Sequence, residues 1–339
     1  MPWLWAITES IATNERNLKM SNTLKGWIAA IFIGLLWGIP WIVGTPLLEV
    51  MDAQVLVWVR YTVAFITLFV IIQVSNAMGK PQKKVDFKLN WTNRHDIFWT
   101  ACCGIIGQGA FSFLSFLSLD YITASENGVI QGLIPIIILC VGFLRHGERF
   151  TPMQILAAVG AFAGVAILVM DPSVEDSGFN IGHLICLGSA ASFSTMAYAR
   201  AKLAEKYGSV ATMYHQFVFA AIGFGLYLLF VGADLSSALG VFSSPLRILC
   251  IAILGVGISG ISYIIYIYAM ERVGVDGTGM ALNLMPLSSF VLAVFALGET
   301  VTPMRLLAIF VVICSMMMFM KFGKVKKKSP QLKTVTDVN

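Results

Sequence analysis

Only 12% of the 339 residues are charged and 58% are hydrophobic, whereas a water-soluble domain carries roughly 25% charged residues. A formal net charge of +5 on that background argues against a soluble enzyme or a nucleic-acid-binding domain and makes lipid the main solvent. The chain has no G-x-x-x-x-G-K-[ST] run, so it carries no nucleotide motor of its own.

Residues 1–22 read as a cytoplasmic tail. Glu9, Glu15 and Arg16 interrupt Met1–Met20, which therefore lacks the apolar core of a cleavable signal peptide; MSNTLKGW from Met20 is itself a plausible start. Ten stretches free of Asp, Glu, Lys and Arg then follow: Gly26–Leu48, Tyr61–Gly79, Ile97–Leu119, Asn127–Leu144, Phe150–Met170, Ser177–Ala199, Tyr207–Ala233, Ile248–Met270, Gly277–Gly298 and Leu306–Met320. A membrane-spanning helix needs about 20 mostly apolar residues, and none of the stretches alternates as a barrel strand does. The expectation is an all-α integral membrane protein with ten transmembrane helices.

Polar and aromatic residues at mid-helix depth are the candidates for a binding site. In chain order they are Trp37 and Trp41 beside Gly38 and Pro40, Gln108 between two glycines, Glu126 and Gln131, Tyr198, Tyr263 and Tyr266, and Asn283. Gly38 and Pro40 weaken the helical ladder and expose carbonyls; Trp41 reads equally well as an interfacial anchor. Gly34/Gly38, Gly128/Gly132 and Gly160/Gly164 form G-x-x-x-G packing faces. Two ionisable groups lie at membrane depth, Arg60 and Glu126. They read either as an ion pair or as a coupling or substrate site, since charge at the bilayer centre costs ~2.5–3.5 kcal/mol on insertion scales. His183 and His215 lie near helix ends and read as interfacial. The cysteines Cys102, Cys103, Cys140, Cys186, Cys250 and Cys314 all fall inside predicted spans with no ligand spacing. They read as small packing residues, and neither a metal nor a cofactor is expected.

With the N-terminus inside, the inner segments hold 20 of the 23 basic residues, all but Arg60, Arg247 and Arg305. Positive charge collects on the cytoplasmic side, so both ends are expected there, and the runs KKVDFK and KVKKK serve topology.

GERFTPMQ from Gly147 and GETVTPMR from Gly298 share five of eight residues, 151 positions apart. At that offset Pro135 falls on Pro286, Gly128 on Gly279 and Ala157 on Ala308. Internal similarity at half the chain length implies duplication, and five helices per half is an odd number. The second copy therefore enters the membrane inverted, the build of many secondary transporters. The scheme is a first five-helix repeat over 23–170, an outer loop over 171–180, a second repeat over 181–320 and a basic cytoplasmic tail over 321–339. Within each octet, Gly147 and Gly298 read as helix terminators. Glu148 and Glu299 sit near the next helix start, and Pro152 and Pro303 occupy first helical positions after a threonine cap.

These features resemble the drug/metabolite transporter superfamily, in particular its ten-helix members with two EamA repeats. The resemblance rests on LLWGIPWIVGTPLLE in helix 1, Arg60 early in helix 2, and the paired P…GER…TP and P…GET…TP blocks, and covers roughly Thr23–Met320. One departure is that LGSAASFSTMAYAR lacks the tryptophan the family usually carries in the first helix of repeat two. The resemblance implies movement of small metabolites, often export of amino acids or related compounds, across the plasma membrane. The partners expected are the bilayer, a small solute and protons, with monomer and homodimer both open. A second reading is efflux of drug cations by proton antiport. A remote third is an intramembrane protease at GISG, but all four histidines precede Ser259, against the order that chemistry uses.

Overall fold

The computed structural model describes residues 22–78, 89, 90, 92–146, 151–171 and 178–322, nearly all helical and, among those residues, without a strand. Seven runs are long and apolar enough to cross a membrane. They are α1 (Asn22–Leu48), α2 (Ala53–Val74), α3 (Arg94–Ser118), α4 (Ala124–Arg145), α5 (Pro152–Val169), α7 (Ser209–Val231) and the start of α8 (Pro245–Tyr266). The sixth pass, α6, is divided by a turn at Met196 into Ile181–Thr195 and Ala197–Tyr207, and its second half carries Arg200, Lys202, Glu205 and Lys206. Met285–Leu297 ends α9, and Pro303–Lys321 forms α10.

The eighth and ninth passes share one helical run, Ser262–Leu282. A straight helix would hold Ala269 and Ala281 about 18 Å apart, yet both pack in one cluster with Ala30. Gly26 lies against Arg272, and Gly34 lies against Ala281. The run therefore doubles back between Arg272 and Ala281, and the count of passes among the described residues is ten.

The two halves repeat in their irregularities as well as in their sequence. α4 breaks at Gly132 and Leu133, between Ala124–Gln131 and Ile134–His146; α9 breaks at Asn283 and Leu284, the positions 151 residues on. The cause is the same in both. Pro135 and Pro286 have no N–H, so the carbonyls of Gln131 and Leu282 lose their i+4 donor. α3 widens to a π-helix over Ile105–Ala110, and α8 does so over Ile253–Ile261. The two π segments end at matching residues, and Gln108 matches Ser259. Both are glycine-rich, and such bulges recur at functional sites. α1 breaks at Trp37–Ile39, where Pro40 removes a donor and Ile39 N–H bonds Leu36 O instead.

The glycine faces join the halves. Gly38 touches Ser288 and the backbone of α9; Gly128 and Gly132 meet Ser289 and Pro286; Gly160 and Gly164 meet Ser315 and Val312 of α10. Small residues let helices approach where lipid offers no hydrophobic drive to association. Large apolar side chains such as Phe230 and Phe295 stand exposed on the outside, as a hydrocarbon solvent permits.

Charge divides the ends. Glu49, Asp120, Asp171 and Glu299 line a vestibule at one end; Arg94, Lys202, Lys206 and Arg272 lie toward the other. Gly147 and Glu148 of the first octet lie outside the described residues. Pro152 starts α5 behind a Thr151–Gln154 capping box. In the second octet Gly298 adopts φ 71°, the left-handed C-cap conformation, and Pro303 starts α10.

Candidate functional site

A cavity of ≈ 120 Å³ lies at mid-depth where the breaks of α1, α4 and α9 face the turns of α3 just after its π-helix and the π-helical stretch of α8. Its wall takes Trp37, Trp41, Arg60, Phe111, Ser112, Ser115, Phe116 and Gln131 from the first half and Phe193, Ile258, Tyr263, Leu282, Met285 and Met316 from the second. Trp37 and Gln131 of the expected set are on this wall, as are Trp41 and Tyr263. Tyr266 stacks on Trp37 at 5.2 Å between ring centres, with the Tyr263 ring equally close and tilted by 49°.

Serines fix the polar groups. Trp37 Nε1 donates to Ser262 Oγ at 2.8 Å, and Trp41 Nε1 donates to Ser115 Oγ at 2.5 Å. Trp41 is buried, so it is not an interfacial anchor. Gln131 Nε2 donates to Ser189 Oγ at 3.0 Å and Ser115 Oγ at 3.3 Å, while its Oε1 is buried with no partner in the protein. Asn127 completes this knot through Ser115 O and Ser118 Oγ, both at 2.8 Å. Asn283 is buried in the α9 break with neither amide atom bonded. Gln108 stands behind the wall, where Tyr61 O–H bonds its carbonyl at 3.0 Å and Ser112 Oγ at 2.6 Å. Tyr198 does not line the cavity.

Arg60 fronts the cavity. Its Nε donates to Ser259 Oγ at 2.9 Å and its Nη1 reaches Ser112 Oγ at 3.5 Å; Tyr61 and Phe116 rings lie 5.4 and 5.7 Å from its guanidinium carbon. The anticipated pairing with Glu126 does not occur. Glu126 sits at the third position of the α4 helix start, where its carboxylate accepts from Thr123 N–H at 2.8 Å in a capping box. It lines the separate vestibule of ≈ 560 Å³ at the acidic end, not the cavity. Ser259, the residue of the protease reading, is held as the acceptor for Arg60.

Between vestibule and cavity lies a closed layer in which Trp41 and Ile42 pack with Ala124 and Ala293. Glu299 ties the halves above it. It accepts from Ser125 N–H at 3.2 Å and from Ser125 Oγ, and pairs with Arg305 at 3.3 Å. Arg305, left over in the charge count, is thus fully buried. His183 is also buried, its Nδ1 accepting from Asn180 N–H at 3.1 Å as part of the α6 cap. At the basic end Asp96 of α3 accepts from Lys206 Nζ and from Tyr207 O–H of α6.

Residue-by-residue reading passed over Ser112, Ser115 and Ser262, and took Ser259 only as the nucleophile of the remote protease reading. The first two had a usable signal, since Ser112, Ser115 and Ser118 recur every three residues along one face of α3. Arg200 was read only as a topology charge. It is instead half-buried, stacked on the Phe193 ring at 4.0 Å, with Nε on Gln216 Oε1 at 3.3 Å and Nη2 reaching Gly107 O.

Inverted halves, helices broken at matching prolines and a central cavity between them define the architecture of a membrane transporter. The sequence model of the EamA-like transporter family matches residues 24–170 and again 180–321. The chain belongs to that family. It is 22% identical over 216 residues to a Bacillus subtilis protein named "Uncharacterized transporter YyaM", covering 62% of this chain and 68% of the relative. It is 23% identical over 267 residues to a Haemophilus influenzae "Uncharacterized transporter", covering 78% and 81%. A solved structure titled "Crystal structure of protein" shares the fold at TM-score 0.59 and 19% identity, over 91% of this chain and 99% of that one.

Proposed function

We propose that this transporter is a secondary carrier that exports a small organic solute from the cytoplasm, the two halves rocking to open the central cavity to one side and then the other. The observation that carries the reading is the cavity itself. It is built from both halves and roofed by the Trp41 layer beneath an open vestibule. The basic end is the cytoplasmic one, by the asymmetry of lysine and arginine, with both termini there and the bilayer that of the plasma membrane. In this state the Trp41 layer and the Glu299 bridge close the acidic, outer side. Opening outward requires those contacts to part while the Asp96–Lys206–Tyr207 cluster, already formed in this structure, keeps the basic end closed. Efflux of drug cations has weaker support, because no carboxylate lies among the described residues lining the cavity and Glu126 is committed to a cap.

Purified protein in ATP-free liposomes loaded with a panel of metabolites tests this. The reading expects at least one solute to show counterflow, labelled solute accumulating against unlabelled solute on the other side. Counterflow by none, from protein with native thermal stability, contradicts it.

A further inference from the structure

The sign of the cavity's charge bears on what it carries. Arg60 is buried and its guanidinium meets only serine hydroxyls and aromatic faces; among the described residues it has no ion pair. Uncompensated charge at membrane depth is costly and marks a functional position, and guanidinium matches the fork of a carboxylate. The free acceptor across the cavity is a neutral one, Gln131 Oε1. The remaining wall is ring and aliphatic surface, with Trp37 and Tyr263 at its centre.

We infer that the substrate is an organic monoanion, a carboxylate with an aromatic or branched apolar body and without an ammonium group. This deepens the export reading and rests on it. The carboxylate sits on the outward N–H groups of Arg60, the body lies on Trp37 and Tyr263, and a hydroxyl or neutral N–H meets Gln131 Oε1. The charges on the wall itself then sum to zero, with Arg200 behind Phe193 adding to the positive field that favours an anion. A zwitterion leaves that sum at +1 and an amine at +2, each needing an acidic residue that the wall does not supply. The cavity holds on the order of eight waters, a liquid volume of roughly 240 Å³, which suits a monocarboxylic acid with a single ring.

Three probes that share a phenylethyl body and differ in the groups that set their charge test the inference: phenyllactate, phenylalanine and phenethylamine. Binding to the purified full chain is read from tryptophan fluorescence. Phenyllactate is expected to bind at least tenfold more tightly than phenylalanine, with phenethylamine not saturating. Arg60→Gln is expected to weaken phenyllactate at least tenfold, with Arg60→Lys intermediate. Ile134→Trp, which fills the cavity without touching Arg60, should abolish binding and replaces Arg60→Gln if that variant does not fold. Equal or tighter binding of phenylalanine or phenethylamine, no saturable binding of phenyllactate, or phenyllactate binding indifferent to the cavity variants overturns the inference. Counterflow in liposomes separates this failure from failure of the export reading. Phenyllactate that binds but shows no counterflow sinks transport and leaves the charge class standing. Counterflow of phenylalanine alone leaves transport and sinks the charge class.

Discussion

Replacing Glu299 by glutamine should be far more damaging than the same change at Glu126. Both acids occupy the acidic end near a helix start, and sequence position ranks Glu126 as the more interesting. In the structure Glu126 holds only its own cap, with Thr123. Glutamine serves equally well at that position of a capping box, so the loss is the charge–dipole contribution of ~0.3–1 kcal/mol. Glu299 faces Arg305, whose side chain is 1% exposed, and itself is 10% exposed. Removing one partner of a buried pair strands the other charge at a cost of about 3–5 kcal/mol. A glutamine retains some bonding to Ser125, which places the expectation at the lower end, about 3 kcal/mol. Reversible unfolding of the detergent-solubilised variants measures both values, and a double-mutant cycle with Arg305→Gln isolates the pair. A Glu299→Gln penalty within about 0.5 kcal/mol of that for Glu126→Gln, or a cycle with no coupling, refutes the assignment of Glu299 as the bridge between the halves.

Gly34→Ala should destabilise by roughly 1–3 kcal/mol through overpacking, because the new methyl meets the Ala281 backbone carbonyl. Gly188→Ala, whose nearest neighbour is Leu114 Cδ1 at 3.8 Å, should be neutral; equal melting temperatures contradict the α1–α9 contact. Asp96→Asn should speed hydrogen exchange at the basic end of α6 by weakening the link to Lys206 and Tyr207, and unchanged exchange removes that cluster as a lock. Trp41→Ala should speed the reaction of a membrane-impermeant thiol reagent, arriving from the vestibule, with a cysteine at Ile134; a rate equal to that with Trp41 intact discounts the roof.

The hydrophobic stretches made the ten passes legible, and the octet pair made the duplication legible, because both are written in local composition. The bulges and the α9 break were half legible. Pro135 over Pro286 was visible, but the matching of Gln108 to Ser259 emerges only once both are seen in π-helical turns. Glu126 and Arg60 looked like partners because they share a depth, which one-dimensional reading gives without azimuth. They face different spaces, and Ser112 and Ser259 fill the role given to the acid. Arg305 and Arg200 were passed over because each was counted only for its side of the membrane, whereas Arg305 is buried and Arg200 lies half-buried on the Phe193 ring.

The central claim is that one cavity between the halves faces each side of the membrane in turn. Ile134→Cys in a background without the native cysteines places a thiol on the cavity wall without removing a hydrogen-bonding side chain. Impermeant thiol reagents applied to right-side-out and to inside-out vesicles should each modify it, with a transported solute slowing both reactions. Modification from one side only, or from neither, contradicts alternating access through this cavity.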